Sequence, residues 1–221
     1  MYVIGVRETP IEPRLARLRF NTTCGAFEAY YHSLPALSKA VILLGDPQGG
    51  FDGPGSLYPK LARDLLEHGI ATLRLGCRAP HEYRQCGIDT LVALQYLDDE
   101  GIKDIALVGW SFGGAVALSV GSCARNVSAI AAISTQAVSS GCIRRLGSRS
   151  VLLLHGGADS ISSVKIPRAI HDGVTGPRGM IVYADAGHSL KEVRRQLHCD
   201  LRDWLIGALC AQQDVKCDKL A

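Results

Sequence analysis

Short apolar runs alternate with amphipathic segments along most of this chain, and that alternation is the strongest constraint on its fold. The runs are Val41 to Leu44, Ile70 to Leu75, Ile105 to Val108, Ala129 to Ile133, Val151 to Leu154 and Met180 to Tyr183. Between or after them come helical patterns at Tyr58 to Glu67, Ile88 to Leu97, Phe112 to Ser122, Ile166 to Val174 and Leu190 to Leu209. Runs of four to six apolar residues joined through helices predict an α/β protein with a mostly parallel sheet covered on both faces. In the last segment Leu190, Val193, Leu197, Leu201, Trp204, Leu205 and Leu209 recur every three or four residues, forming the apolar stripe of one long helix. Ahead of this series, Leu15 to Phe20 and Ala26 to Tyr31 flank a turn at Asn21-Thr22-Thr23 and predict an antiparallel hairpin at the sheet edge.

The chain has 221 residues, 47% of them hydrophobic, which is enough for one well-buried core; a single domain spanning residues 1–221 is expected. A net charge of +3 with both signs interspersed concentrates no basic face for nucleic acid, and no run has the length of a membrane span. The charged segment Met1 to Phe20 lacks the apolar stretch of a signal peptide, so a cytoplasmic location is expected. Eight cysteines fall in no zinc or redox spacing and are expected to be free thiols, with no metal and no cofactor. The glycine-rich Gly49 to Gly55 is not followed by Gly-Lys-Ser/Thr and is not a phosphate loop.

Chemistry enters at Gly109-Trp110-Ser111-Phe112-Gly113-Gly114, set between an apolar run and an alanine-rich helical segment. Glycines on both sides allow the tight strand-to-helix turn that presents a serine hydroxyl as a nucleophile. A serine needs a base, and the base needs a carboxylate to fix its tautomer. Residues 105 to 158 contain no acid, so the candidates between the serine and His188 are Asp159, Asp172 and Asp185. Asp159 follows the run Val151 to Leu154, at a strand's carboxyl end. Asp172 lies late in a helical pattern, and Asp185 is only three residues before His188. Among His171, His188 and His198, only His188 occupies a loop after a strand. The catalytic set expected is therefore Ser111, Asp159 and His188, with His155 a structural residue.

Together with Leu154-His155-Gly156-Gly157-Ala158-Asp159 and Ala186-Gly187-His188-Ser189-Leu190, this motif resembles the α/β-hydrolase superfamily from Val41 to Leu209, particularly its small, lidless dienelactone-hydrolase-like branch. Dienelactone hydrolases carry a cysteine nucleophile, so Ser111 favours ordinary ester chemistry. The resemblance implies hydrolysis of small carboxylic esters through an acyl-enzyme. Thioester hydrolysis or acyl transfer on the same triad, and a non-catalytic binding scaffold, are the alternatives. The oxyanion would be held by the backbone N–H of Phe112 and by one from Gly45-Asp46-Pro47-Gln48, Asp46 first and Gln48 second, since proline has no N–H. Phe51, Tyr83 and Trp110 are candidate pocket residues. Arg78, His81, Arg84, Arg144, Arg145 and Arg149 are either contacts for an anionic acyl group or solvated charges. The interval Ser134 to Ser150 leaves no room for a lid domain.

Overall fold

The computed structural model describes residues 3–45, 50–76, 78, 79 and 82–210. Nine strands and six α-helices alternate along them. In chain order they are β1 (Val3–Glu12), β2 (Leu15–Thr22), β3 (Gly25–His32), β4 (Lys39–Leu44), α1 (Leu57–Glu67), β5 (Ala71–Leu75), α2 (Tyr83–Asp99), β6 (Asp104–Trp110), α3 (Phe112–Gly121), β7 (Val127–Ile133), α4 (Ser140–Arg145), β8 (Ser150–Gly156), α5 (Lys165–Gly173), β9 (Arg178–Tyr183) and α6 (Arg194–Cys210).

All nine strands form one sheet in the order β1-β2-β3-β5-β4-β6-β7-β8-β9. From β5 to β9 every neighbouring pair is parallel, whereas β1, β2 and β3 are antiparallel to one another and β3 is antiparallel to β5. The chain leaves β4 for β5 on one side, then crosses back to β6 on the other. The loops after β4 and β6 therefore diverge at the carboxyl edge of the sheet, the place where open α/β sheets bind their ligands.

Strand alternation divides the core in two. On β6, Ile105 and Leu107 face α2, α3, α4 and α5, while Ala106, Val108 and Trp110 face α1 and α6. Leu197, Leu201, Leu205 and Leu209 of α6 are all within 1% of full burial, as the apolar stripe predicts. Each contributes about 1.5–3 kcal/mol by leaving water. The helix starts later than its stripe: Leu190 adopts φ 52°, and Lys191 to Val193 form a 3₁₀ turn before α6 begins.

Strand β1 departs from expectation. The sequence predicts a two-stranded hairpin, and β1 adds a third strand, paired with β2 and exposed along its whole length. With both faces in water it has no need of an apolar period. The cysteines also differ from expectation. Cys24, Cys123, Cys142, Cys199 and Cys210 are free, but Cys86, near the start of α2, is disulfide-bonded. Pairing follows tertiary proximity, which cysteine spacing alone does not carry.

Candidate active site

At the end of β6 the backbone turns sharply into α3 through Ser111, which adopts φ 53° and ψ −115°. Few non-glycine residues occupy this region, and it persists where surrounding bonds over-determine it. Here the Ser111 N–H donates to the Ile133 carbonyl at the end of β7 (2.8 Å), and the Ser111 carbonyl accepts from Gly114 (3.1 Å) and Gln136 (3.4 Å). The flanking glycines are sterically required. A Cβ on Gly109 would stand 2.0 Å from the Gly113 carbonyl oxygen, and one on Gly113 would stand 2.6 Å from that of Leu44.

Loops from two other strands meet the serine. The Ser111 hydroxyl lies 3.0 Å from His188 Nε2, which follows β9, and His188 Nδ1 lies 2.8 Å from Asp159 Oδ2, which follows β8. With the imidazole proton on Nδ1, the histidine donates to the carboxylate and accepts from the hydroxyl. The second carboxylate oxygen accepts the backbone N–H groups of Ile161 (2.8 Å) and Ser162 (2.9 Å). Asp159 is nearly fully buried, its side chain 1% exposed. Burial alone would raise its pKa, but the Ser162 N–H, His188 and the Ile161 N–H outweigh that and hold the carboxyl below its ordinary value.

The remaining titratable candidates lie elsewhere. Asp185 is exposed, His171 sits at the surface beside Asp172, and His198 is buried against Asp64. His155, in contrast, belongs to the Asp159 surroundings. Its imidazole is 0% exposed, lies 3.0 Å from the Ser162 carbonyl oxygen through Nε2 and stands 3.6 Å from Asp159 Oδ2. Burial pushes its pKa down, against the raising effects of the Ser162 carbonyl and Asp159. Ser162 in turn donates its hydroxyl to the Thr135 carbonyl (3.0 Å), tying this knot to the strand beside the elbow. The sequence signal was available: a histidine four residues before an acid, across a strand-to-loop turn.

Phe112 is the first residue of α3, so its N–H has no acceptor within the helix. Asp46, Pro47, Gln48 and His81 lie outside the described residues. Trp110 is mainly a support: its indole N–H donates to the His188 carbonyl (3.2 Å), and its ring stands 5.9 Å from the imidazole. Tyr83 donates to the Ala115 carbonyl (2.7 Å), contacts Ser119 and meets the Phe112 ring edge-on. Phe51 lines an open cleft of about 420 Å³ with Phe27, Glu28, Gly76 and Arg78.

Arg78 is neither a solvated charge nor a free anion contact. One guanidinium nitrogen pairs with the buried Asp89 (2.8 Å), while another donates to the Gly25 and Cys24 carbonyls and to Thr22 Oγ1. It clamps the β2–β3 turn to α2. Burial raises the Asp89 pKa, with Gln85 and Arg78 acting in the opposite direction. Arg149 is likewise internal, donating to the Ala124, Val127 and Leu146 carbonyls, whereas Arg84, Arg144 and Arg145 are exposed. Among the described residues no cluster of three or more His, Cys, Asp or Glu is placed to hold a metal, and no helix is long and apolar enough to cross a membrane.

This architecture is the α/β-hydrolase fold. The chain is similar in structure to a dienelactone hydrolase from Anabaena variabilis, with 14% identity and a TM-score of 0.76 over 92% of this chain and 99% of that one. It is similar also to Est1E from Butyrivibrio proteoclasticus, at 13% identity and TM-score 0.74 over 92% and 98%. A third match is a 2,6-dihydroxy-pseudo-oxynicotine hydrolase, at 17% identity and TM-score 0.75 over 93% and 71%. No family model and no curated protein sequence matches the chain.

Proposed function

We propose that the chain is a serine hydrolase that cleaves small carboxylic esters through an acyl-enzyme. The observation that carries this reading is the continuous hydrogen-bonded line from Ser111 through His188 to Asp159, assembled from three loops at the carboxyl edge of one sheet. Likeness in structure to a dienelactone hydrolase, and to a Pyrococcus furiosus esterase at 13% identity and TM-score 0.73 over 93% of this chain and 92% of that one, supports the same chemistry. In this reading Ser111 Oγ attacks the ester carbonyl carbon as its proton passes to His188 Nε2. The carbonyl oxygen gains negative charge and is held by the Phe112 N–H and a second N–H from the loop after β4, that of Asp46 or Gln48. Collapse of the tetrahedral species breaks the bond to the alcohol, which leaves with the proton from His188. A water molecule then repeats the sequence, giving the carboxylic acid and restoring Ser111. Asp159 keeps the accepting nitrogen directed at the serine and stabilises the imidazolium.

Only α4, six residues long, interrupts the stretch between β7 and β8. This supports a single domain with an uncovered site, suited to soluble short-chain esters that need no lipid surface to open a lid. The test is covalent labelling. A fluorophosphonate is expected to add once, on the peptide carrying Ser111, and a short-chain aryl ester at saturation is expected to suppress the labelling. Labelling elsewhere, or none in folded protein, would overturn the assignment.

His155 then has a positioning role, because it holds the loop whose N–H groups hold Asp159. His155→Leu should lower kcat for a short-chain ester by about 10–100-fold with KM little changed, as expected when a catalytic group is displaced by a fraction of an ångström to an ångström. His155→Gln retains a side-chain N–H and should recover much of the loss. Equal kcat in both variants and the parent would remove His155 from this role.

A further inference from the structure

A cavity of about 390 Å³ lies between α1 and α6, and none of Ser111, Asp159 and His188 lines it. Its lining includes the buried Leu57, Lys60 of α1, and Arg194, Arg195, His198 and Arg202 of α6. Among the described residues no carboxylate lines it. Two acids stand nearby: Asp64 pairs with Lys60 and His198 (both 2.7 Å), and Asp203 pairs with Arg202 (2.7 Å). Among the described residues, four permanent cations against two carboxylates leave two positive charges uncompensated, even with His198 neutral. Among the described residues Arg194 makes one bond, to the Ser56 carbonyl, and Arg195 has no ion pair.

From this geometry we infer that the α1–α6 cavity binds a soluble small molecule carrying two or more phosphate groups. Gathering like charges around one concavity costs repulsion that an anion relieves, and guanidinium forks match phosphate oxygens bidentately. Arg195 and Arg202 are seven residues apart on one face of α6, about 10 Å along the axis. That span exceeds one phosphate and suits two linked anionic groups. Arg194 and Arg195 also occupy the first turn of a 17-residue helix, whose positive end adds to their attraction. The site requires nothing of the Ser111 chemistry, and its test reads binding alone.

Calorimetric titration of the whole protein with ATP as the probe, in low salt, should give a Kd below about 1 mM, with inorganic phosphate at least about tenfold weaker. The double variant Arg195→Gln/Arg202→Gln should weaken ATP binding by about tenfold or more. The control Arg144→Gln/Arg145→Gln removes the same charge from exposed positions on α4 and should bind ATP as the parent does. Equal weakening in the two double variants would mean diffuse surface attraction and would overturn the site. So would absence of binding up to about 10 mM ATP, or binding only to vesicles of anionic phospholipid.

Discussion

Replacing Ser111 with alanine is expected to lower turnover of a short-chain aryl ester by about four or more orders of magnitude while leaving the fold intact. The two halves of this expectation have separate causes. Activity falls because alanine has no oxygen to attack the carbonyl carbon, and His188 and the oxyanion donors alone recover only a small residual rate. The fold survives because the bonds that hold position 111 at φ 53° are made by its backbone, to Ile133, Gly114 and Gln136. Alanine keeps all of them, and its Cβ meets the same strain as serine. Loss of the 3.0 Å bond to His188 should change unfolding free energy by no more than about 1 kcal/mol. The checks are steady-state hydrolysis and denaturant unfolding of the same preparation. A variant that folds and retains more than about 1% of the parent rate would exclude Ser111 as the nucleophile.

The parallel part of the fold was legible in the sequence because its inner strands β4, β6, β7 and β8 are buried along nearly their whole length and carry apolar runs, while the half-buried edge strand β9 still keeps Met180 to Tyr183. β1 was not, for the opposite reason: a strand bathed in water on both faces has no period to detect. The polar first turn of α2, which begins at Tyr83 ahead of the Ile88 to Leu97 pattern, was hidden in the same way. At the candidate site, Ser111, Asp159 and His188 could be ordered from strand ends alone. Their neighbours depended on three-dimensional packing. Arg78 reads in sequence as one more loop charge, and only the approach of the β2–β3 turn to α2 makes it a buried clamp with Asp89. His155 reads as a strand residue, and its importance arises where the turn after β8 folds Ser162 and Asp159 back over its ring.

The choice among acids has a similarly large expected effect. Asp159→Asn should reduce kcat by about 10⁴, the magnitude known for the equivalent change in a serine protease. In the variant the side-chain oxygen can still accept the Ile161 and Ser162 N–H groups, which turns the amide NH₂ toward His188 Nδ1. Two donors cannot share that contact. The imidazole proton must move to Nε2, where it points at Ser111 and cannot accept the serine proton. Asp185→Asn, at an exposed position, should change kcat by no more than about twofold. Stability provides a second reading with a defined sign. The folded pKa of Asp159 lies below its ordinary value, so its ionised form stabilises the parent fully above the unfolded value near 4, and this advantage fades as pH falls through the folded value. The stability gap between parent and Asp159→Asn should therefore be constant around neutrality and close in acid. A large kcat loss in Asp185→Asn with little in Asp159→Asn would transfer the carboxylate's role to Asp185.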